Sequence, residues 1–195
     1  MSEVSLTVAT SAHMRALGRS LATVLRAGDL VLLSGGLGAG KTTLTKGIGD
    51  GLGVRGPITS PTFVIARVHP PVGSTAVTGE LRPALVHADA YRLGSALELD
   101  DLDLDTDTAA SVTVVEWGGG LAEGLATDRL EITITPVKAD VPVVDDPVAG
   151  DAADAGNGGD VDDPTVDAPR AVRISAVGVR WEGIKLPLAR LANRL

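Results

Sequence analysis

The run Gly35-Gly36-Leu37-Gly38-Ala39-Gly40-Lys41-Thr42 constrains this chain more than any other stretch. It follows the apolar run Leu30-Val31-Leu32-Leu33 and opens a segment, Thr43 to Leu52, that reads as a helix. The pattern G-x-x-x-x-G-K-[ST] makes a phosphate site only between a strand and a helix. Successive backbone N–H groups then curl around the anion and the helix N-terminus faces it. Both flanks are present, so Gly36, Leu37, Gly38, Ala39, Gly40, Lys41, Thr42 and Thr43 are the candidate nucleotide-binding residues. Glycine at 35, 38 and 40 admits backbone angles and close approach that a side chain would block. Lys41 is spaced to reach the outer phosphates, and the Thr42 hydroxyl to ligate magnesium.

A strand feeding a phosphate loop and a helix implies an α/β fold. Aromatic residues make up only 2% of the chain, so the core is built from aliphatic side chains, which suits a parallel sheet covered by helices. The expected fold is therefore α/β: a three-layer P-loop architecture with a mainly parallel central sheet and an antiparallel C-terminal strand pair. Val4 to Val8 alternates as a strand, and Thr10 or Ser11 caps a helix carrying Met14, Leu17, Leu21, Val24 and Leu25, with a glycine stop at Ala27-Gly28-Asp29. Phe63 to Val68 is strand-like, and Pro70 to Pro83 reads as an exposed hairpin or loop. Ala84 to Asp89 and Val112 to Trp117 are buried-strand candidates that carry an acid at the C-terminal end. Ser95 to Asp107 reads as a short acidic surface helix and turn, Arg129 to Thr135 and Ala171 to Val177 as paired strands, and Ile184 to Leu195 as a terminal helix.

The 195 residues suffice for one well-buried domain, residues 1–195. The formal charge of −8 is misleading, because nine aspartates and no Lys or Arg lie between Ala139 and Pro169. Those nine exceed the whole net charge by one, leaving the remainder of the chain at +1. This stretch is too polar to offset its ordering entropy, so residues 140–168 are expected to be a disordered acidic insertion in a surface turn. No basic cluster with interleaved aromatics points to direct RNA binding. The absence of cysteine excludes disulfides, thiolate metal sites and a cysteine nucleophile. With no signal-like start and no run near the ~18 apolar residues of a membrane span, a cytoplasmic protein without membrane contact is expected.

Phosphoryl chemistry also needs an acid on the far side of the metal. Ligands of open α/β sheets bind beyond the carboxyl ends of the strands, so Asp89 and Glu116 should converge on the nucleotide. Glu116 is the candidate magnesium-side acid or water-orienting base, and Asp89 the candidate magnesium-shell or switch residue; the reverse division is open. With Lys41 they form the candidate catalytic set, and with Thr42 the candidate metal set. Arg92 fits a phosphate contact or an ordinary surface ion pair. His87 shares a strand face with Asp89, and its simpler reading is a packed or hydrogen-bonded residue. Ser60-Pro61-Thr62 lies where a nucleotide-sensing loop would fall and equally makes a plain turn before a strand.

Taken together, Gly35 to Thr43, Ser60-Pro61-Thr62-Phe63, His87-Ala88-Asp89-Ala90-Tyr91-Arg92-Leu93 and Val115-Glu116-Trp117, in that order and spacing, resemble the bacterial TsaE family. These are the small ATPases of tRNA threonylcarbamoyladenosine biosynthesis. The likeness runs from about Met14 to Leu130, and more loosely through Val172 to Trp181. It implies a P-loop fold that hydrolyses ATP to ADP with Mg2+. It also implies two partner proteins, which transfer the threonylcarbamoyl group to an adenosine beside the anticodon, tRNA being reached indirectly through them. The family's Walker threonine matches Thr42, its strand-end glutamate Glu116 and its Asp-x-Tyr-Arg aspartate Asp89, while an adenine-side contact falls around Ser11. The chain departs from the family pattern at Gly36, Ala88, Ala90 and Asp103, and in the aspartate-rich insertion.

The leading expectation is an ATP-hydrolysing assembly factor. A small-molecule or nucleotide kinase on the same fold is the alternative. Such an enzyme needs an acceptor pocket and cations clamping the transferred group, yet Thr62 to Glu116 offers only Arg67, Arg82 and Arg92. A nucleotide-binding scaffold without catalysis is a second rival, against which the presence of both Asp89 and Glu116 speaks.

Overall fold

The computed structural model describes residues 2–61, 66–73, 82–92, 109–117, 126–137 and 168–187. Seven strands, β1 (Ser2–Val8), β2 (Leu30–Ser34), β3 (Ala66–His69), β4 (Ala84–Asp89), β5 (Ser111–Glu116), β6 (Arg129–Pro136) and β7 (Arg170–Val177), form one sheet in the order β1-β7-β6-β2-β5-β4-β3. Two helices, α1 (Ser11–Ala22) and α2 (Lys41–Leu52), accompany it. Strands β6, β2, β5 and β4 run parallel, so their carboxyl ends share one edge of the sheet. That edge carries Ser34, Glu116, Asp89 and Pro136.

The pairings β1–β7, β6–β7 and β3–β4 are antiparallel, so the sheet is evenly mixed rather than mainly parallel. The expected C-terminal pair, β6 with β7, is present, and β1 extends it on the far side. The parallel centre is the part that needs crossover connections; antiparallel pairs flank it on both sides.

Both helices lie on the same face. Met14, Leu17 and Leu21 of α1 and Leu44 and Ile48 of α2 join Val31, Leu33, Leu85, Val114, Ile132 and Ile134 in one buried cluster. The opposite face buries a smaller set, Leu30, Leu32, Ala88, Ala90 and Val115. The alternation along β2 thus points even positions one way and odd positions the other. The helices meet backbone to backbone: a Cβ at Gly18 would lie 2.7 Å from the Ile48 nitrogen, and one at Gly47 would strike the Arg15 carbonyl oxygen.

Helix α1 stops at Ala22, earlier than the glycine stop at Gly28. Thr23 turns its hydroxyl back onto the Ser20 carbonyl at 2.7 Å, and the Asp29 carboxylate takes the Arg26 N–H at 2.9 Å, which steers the chain into β2. Asp29 is itself held by Arg180, whose Nε and Nη2 donate to its two oxygens at 3.0 and 2.9 Å, with a third bond to the Val24 carbonyl at 2.9 Å. The expected strand from Phe63 is described only from Ala66 onward, and Ile184 to Leu186 lie in irregular structure. The acidic segment Ser95 to Asp107, the insertion proper and the last residues of the expected terminal helix lie outside the described residues. No helix among the described residues is long and apolar enough to cross a membrane.

Candidate active site

The site is assembled where β2, β4 and β5 end. Beyond Ser34 the chain enters the phosphate loop, with Gly36, Leu37 and Gly38 exposed and Leu37 at 97% exposure. Gly40 caps α2 with φ 106°, a left-handed angle that strains any L side chain. The first N–H groups of α2 have no partner inside the helix and face the loop. Ala39 is buried against the core and its N–H turns back to the Gly36 carbonyl at 3.2 Å.

Lys41 and Thr42 open α2, and Thr43 follows half-buried. The Lys41 ammonium donates to the Gly35 and Gly36 carbonyls at 2.9 Å each and stands 3.8 Å above the Trp117 ring. Burial pulls its pKa below the usual lysine value, while the charges of Glu116 and Asp89 oppose that shift. The Thr42 hydroxyl donates to Glu116 Oε1 at 2.9 Å.

Asp89 and Glu116 are direct register partners on adjacent parallel strands, so their side chains emerge side by side on the helix face. Glu116 is 2% exposed and also meets His87 Nε2, 2.8 Å from Oε1. Asp89 accepts the Ser60 hydroxyl at 3.2 Å and the Tyr91 N–H at 2.9 Å. The loop after α2 therefore reaches the acid at the end of β4. Tyr91 packs on Trp117 with centroids 5.1 Å apart, and Trp117 adopts φ 60°, unusual for an aromatic residue. This strained step beyond Glu116 puts the indole over the lysine, and the Trp117 N–H ties it to the Leu33 carbonyl at 2.9 Å.

Ser11 is the first residue of α1, next to the Thr10 cap, whose hydroxyl accepts the His13 N–H at 3.1 Å. One turn on, Met14 borders the loop, since a Cβ at Gly40 would lie 3.5 Å from Met14 Cε. The start of α1 is thus adjacent to the phosphate loop. The side chain of Arg92 and residues Thr62 and Phe63 lie outside the described residues.

Three features were missed in the sequence. The His87–Glu116 contact is diagonal across parallel strands, and only the shared face of His87, Asp89 and Glu116 hints at it. The lysine–indole contact depends on the positive φ of Trp117. Arg170, at the start of β7, reaches the Gly38 carbonyl at 3.3 Å and the Ala168 carbonyl, a contact from the other end of the chain that no local pattern announces.

A hydroxyl beside two carboxylates is a hard-oxygen donor set of the kind magnesium takes. No group of three or more His, Cys, Asp or Glu side chains able to hold a metal occurs among the described residues. An open glycine loop with a lysine at its root fits a polyphosphate, so these residues fit a magnesium nucleotide.

Residues 8–141 match the family model described as Threonylcarbamoyl adenosine biosynthesis protein TsaE. The chain is similar to the tRNA threonylcarbamoyladenosine biosynthesis protein TsaE of Streptomyces coelicolor, 52% identical over 169 residues that cover 86% of this chain and 93% of that one. It is similar to the protein of the same description from Mycobacterium tuberculosis, 53% identical over 127 residues, 62% of this chain and 72% of that one. Among solved structures, the crystal structure of Bacillus subtilis YdiB superposes with a TM-score of 0.62 at 25% identity, covering 99% of this chain and 96% of that one.

Proposed function

Given that the chain belongs to the TsaE family of threonylcarbamoyl adenosine biosynthesis proteins, we propose that it is a magnesium-dependent ATPase of the three-layer P-loop class. It hydrolyses ATP to ADP and so cycles a complex of two partner proteins that carry the threonylcarbamoyl group to tRNA. The observation that carries this reading is the Thr42–Glu116 contact at 2.9 Å, with Lys41 at the root of the same loop.

Magnesium, when bound with ATP, neutralises charge developing on the terminal phosphates. The chain's own residues do the rest. The loop amides from Gly36 to Thr43 orient the phosphates, and Lys41 leaves the Gly35 and Gly36 carbonyls to meet the outer ones. Thr42 donates its O–H hydrogen bond to Glu116 and would keep its lone pairs for the cation. Glu116 would take the metal side, while Asp89, which accepts from the Ser60 hydroxyl and the Tyr91 amide, would link it to the loop after α2. Ser11 lies on the adenine side, at the start of α1.

The test is reconstitution of the purified chain with the two partner proteins, tRNA, ATP and magnesium. ADP release and threonylcarbamoyl transfer that both depend on Lys41 are expected. Transfer of the terminal phosphoryl group to a small acceptor, rather than to water, would establish the kinase alternative instead.

A further inference from the structure

We propose that His87 is a positioning residue, which fixes the Glu116 carboxylate so that Oε2 alone faces the ligand. This rests on the reading of Glu116 as the metal-side acid. His87 lies at 0% exposure on β4, which is flanked by β5 and β3, on the face shared by Leu85, Asp89, Val114 and Glu116. Its Nε2 is 2.8 Å from Glu116 Oε1, and the Thr42 hydroxyl lies 2.9 Å from that same oxygen. On this proposal Nε2 is the donor in the contact and the carboxylate oxygen the acceptor. The two donors fill both lone-pair directions of Oε1, which leaves Oε2 for metal or water. Without His87 a single bond from Thr42 would hold the carboxylate, and rotation about its last torsion would exchange the two oxygens.

The other ring nitrogen argues that this is more than packing. Nδ1 is buried with no hydrogen-bond partner among the described residues. A buried polar atom left unpaired is destabilising, so an apolar side chain would fill this place better if filling were its only purpose. What the imidazole offers here that an apolar side chain would not is the Nε2 contact with Glu116.

The experiment compares His87→Gln, whose amide N–H reaches the position of Nε2, with His87→Asn, which falls short of it. In His87→Asn, kcat for ATP is expected to fall about 10–100-fold, the range for loss of a partner that orients a metal ligand, with KM little changed. His87→Gln restores most of the rate. The gain in ADP affinity on adding magnesium, read by fluorescence titration, should shrink in the asparagine variant and persist in the glutamine variant. Equal behaviour of the two variants would overturn the proposal. Should either fail to fold, 15N NMR of the wild-type imidazoles decides: a proton on Nε2 of His87 is required, and one on Nδ1 refutes it. A wild-type chain with no ATP turnover would count against the hydrolase reading alone, since the tautomer and the magnesium-linked ADP affinity still judge His87.

Discussion

The Thr42 hydroxyl and the Glu116 carboxylate lie 2.9 Å apart although 74 positions separate them in the chain. One is the first-turn residue of α2, which follows β2, and the other the last residue of β5, so the contact ties the phosphate loop to the end of the strand paired with β2. A hydroxyl that donates to the acid presents its lone pairs outward, a geometry that suits a cation with no rearrangement of either residue.

Glu116→Gln should therefore leave ADP binding within a few-fold of wild type and lower ATP turnover by about 10²–10³, the usual scale for removing one charge-stabilising group. Lys41→Ala should behave differently, losing nucleotide affinity itself. Fluorescence titration alongside steady-state ADP release separates the two, and normal turnover in Glu116→Gln would remove its assigned role.

The helix contact gives a stability prediction of unusual sign. Glycine to alanine inside a helix commonly stabilises by about 1 kcal/mol. At Gly47 the new Cβ would strike the Arg15 carbonyl oxygen and lie 2.9 Å from its carbon. Gly47→Ala is expected to cost about 1–3 kcal/mol, the scale of overpacking, measured by urea denaturation.

The Asp29–Arg180 pair, 6% and 9% exposed, anchors the segment after β7 to the start of β2. Removing one partner of a buried pair strands the other charge. Asp29→Ala should destabilise by about 3–5 kcal/mol, seen as a lowered denaturation midpoint with no change in Mg-ADP affinity per folded molecule.

Asp50 joins the two helices through Arg15, at 2.6 Å from Nε, and Arg19. The Arg15 hydrogen bond holds its carboxyl below the usual carboxylate range. A lowered acid contributes stability that is complete above its unfolded pKa and is lost as pH falls through the folded one. Asp50→Asn should flatten the acid limb of the stability profile and leave neutral pH nearly untouched, apart from the modest loss of an exposed pair. A thermal-melt series across that limb checks it.

Deleting residues 140–168 should leave the melting temperature nearly unchanged. The β6–β7 ladder is already paired out to Pro136 and Arg170, and the Val137 N–H closes on the Pro169 carbonyl at 2.9 Å. A large drop would show that the segment contributes to the core.

Local patterns carried the parts of this molecule that local chemistry determines. The phosphate loop announces itself because glycine, lysine and threonine at fixed spacing have one shared purpose, and Asp89 and Glu116 stand out as acids ending apolar runs. The same logic was silent where partners are distant in sequence. Nothing in Val4 to Val8 names β7 as its neighbour, and so the sheet came out evenly mixed. Alternation placed His87 on the face of Asp89, but its bond to Glu116 depends on the register of two parallel strands. The apolar spacing overruns helix α1, because Val24 and Leu25 keep it after Thr23 has already ended the helix.

Gly18 and Gly47 have an evolutionary corollary. At Gly49 the nearest atoms to an added methyl are the side-chain tips of Ile58, Val54 and Leu85, which a smaller neighbour could vacate. At Gly18 and Gly47 the obstacle is main chain, identical whatever residue stands there. A suppressor screen should thus find second-site revertants for Gly49 substitutions, whereas damage at the helix crossing is curable only by true reversion.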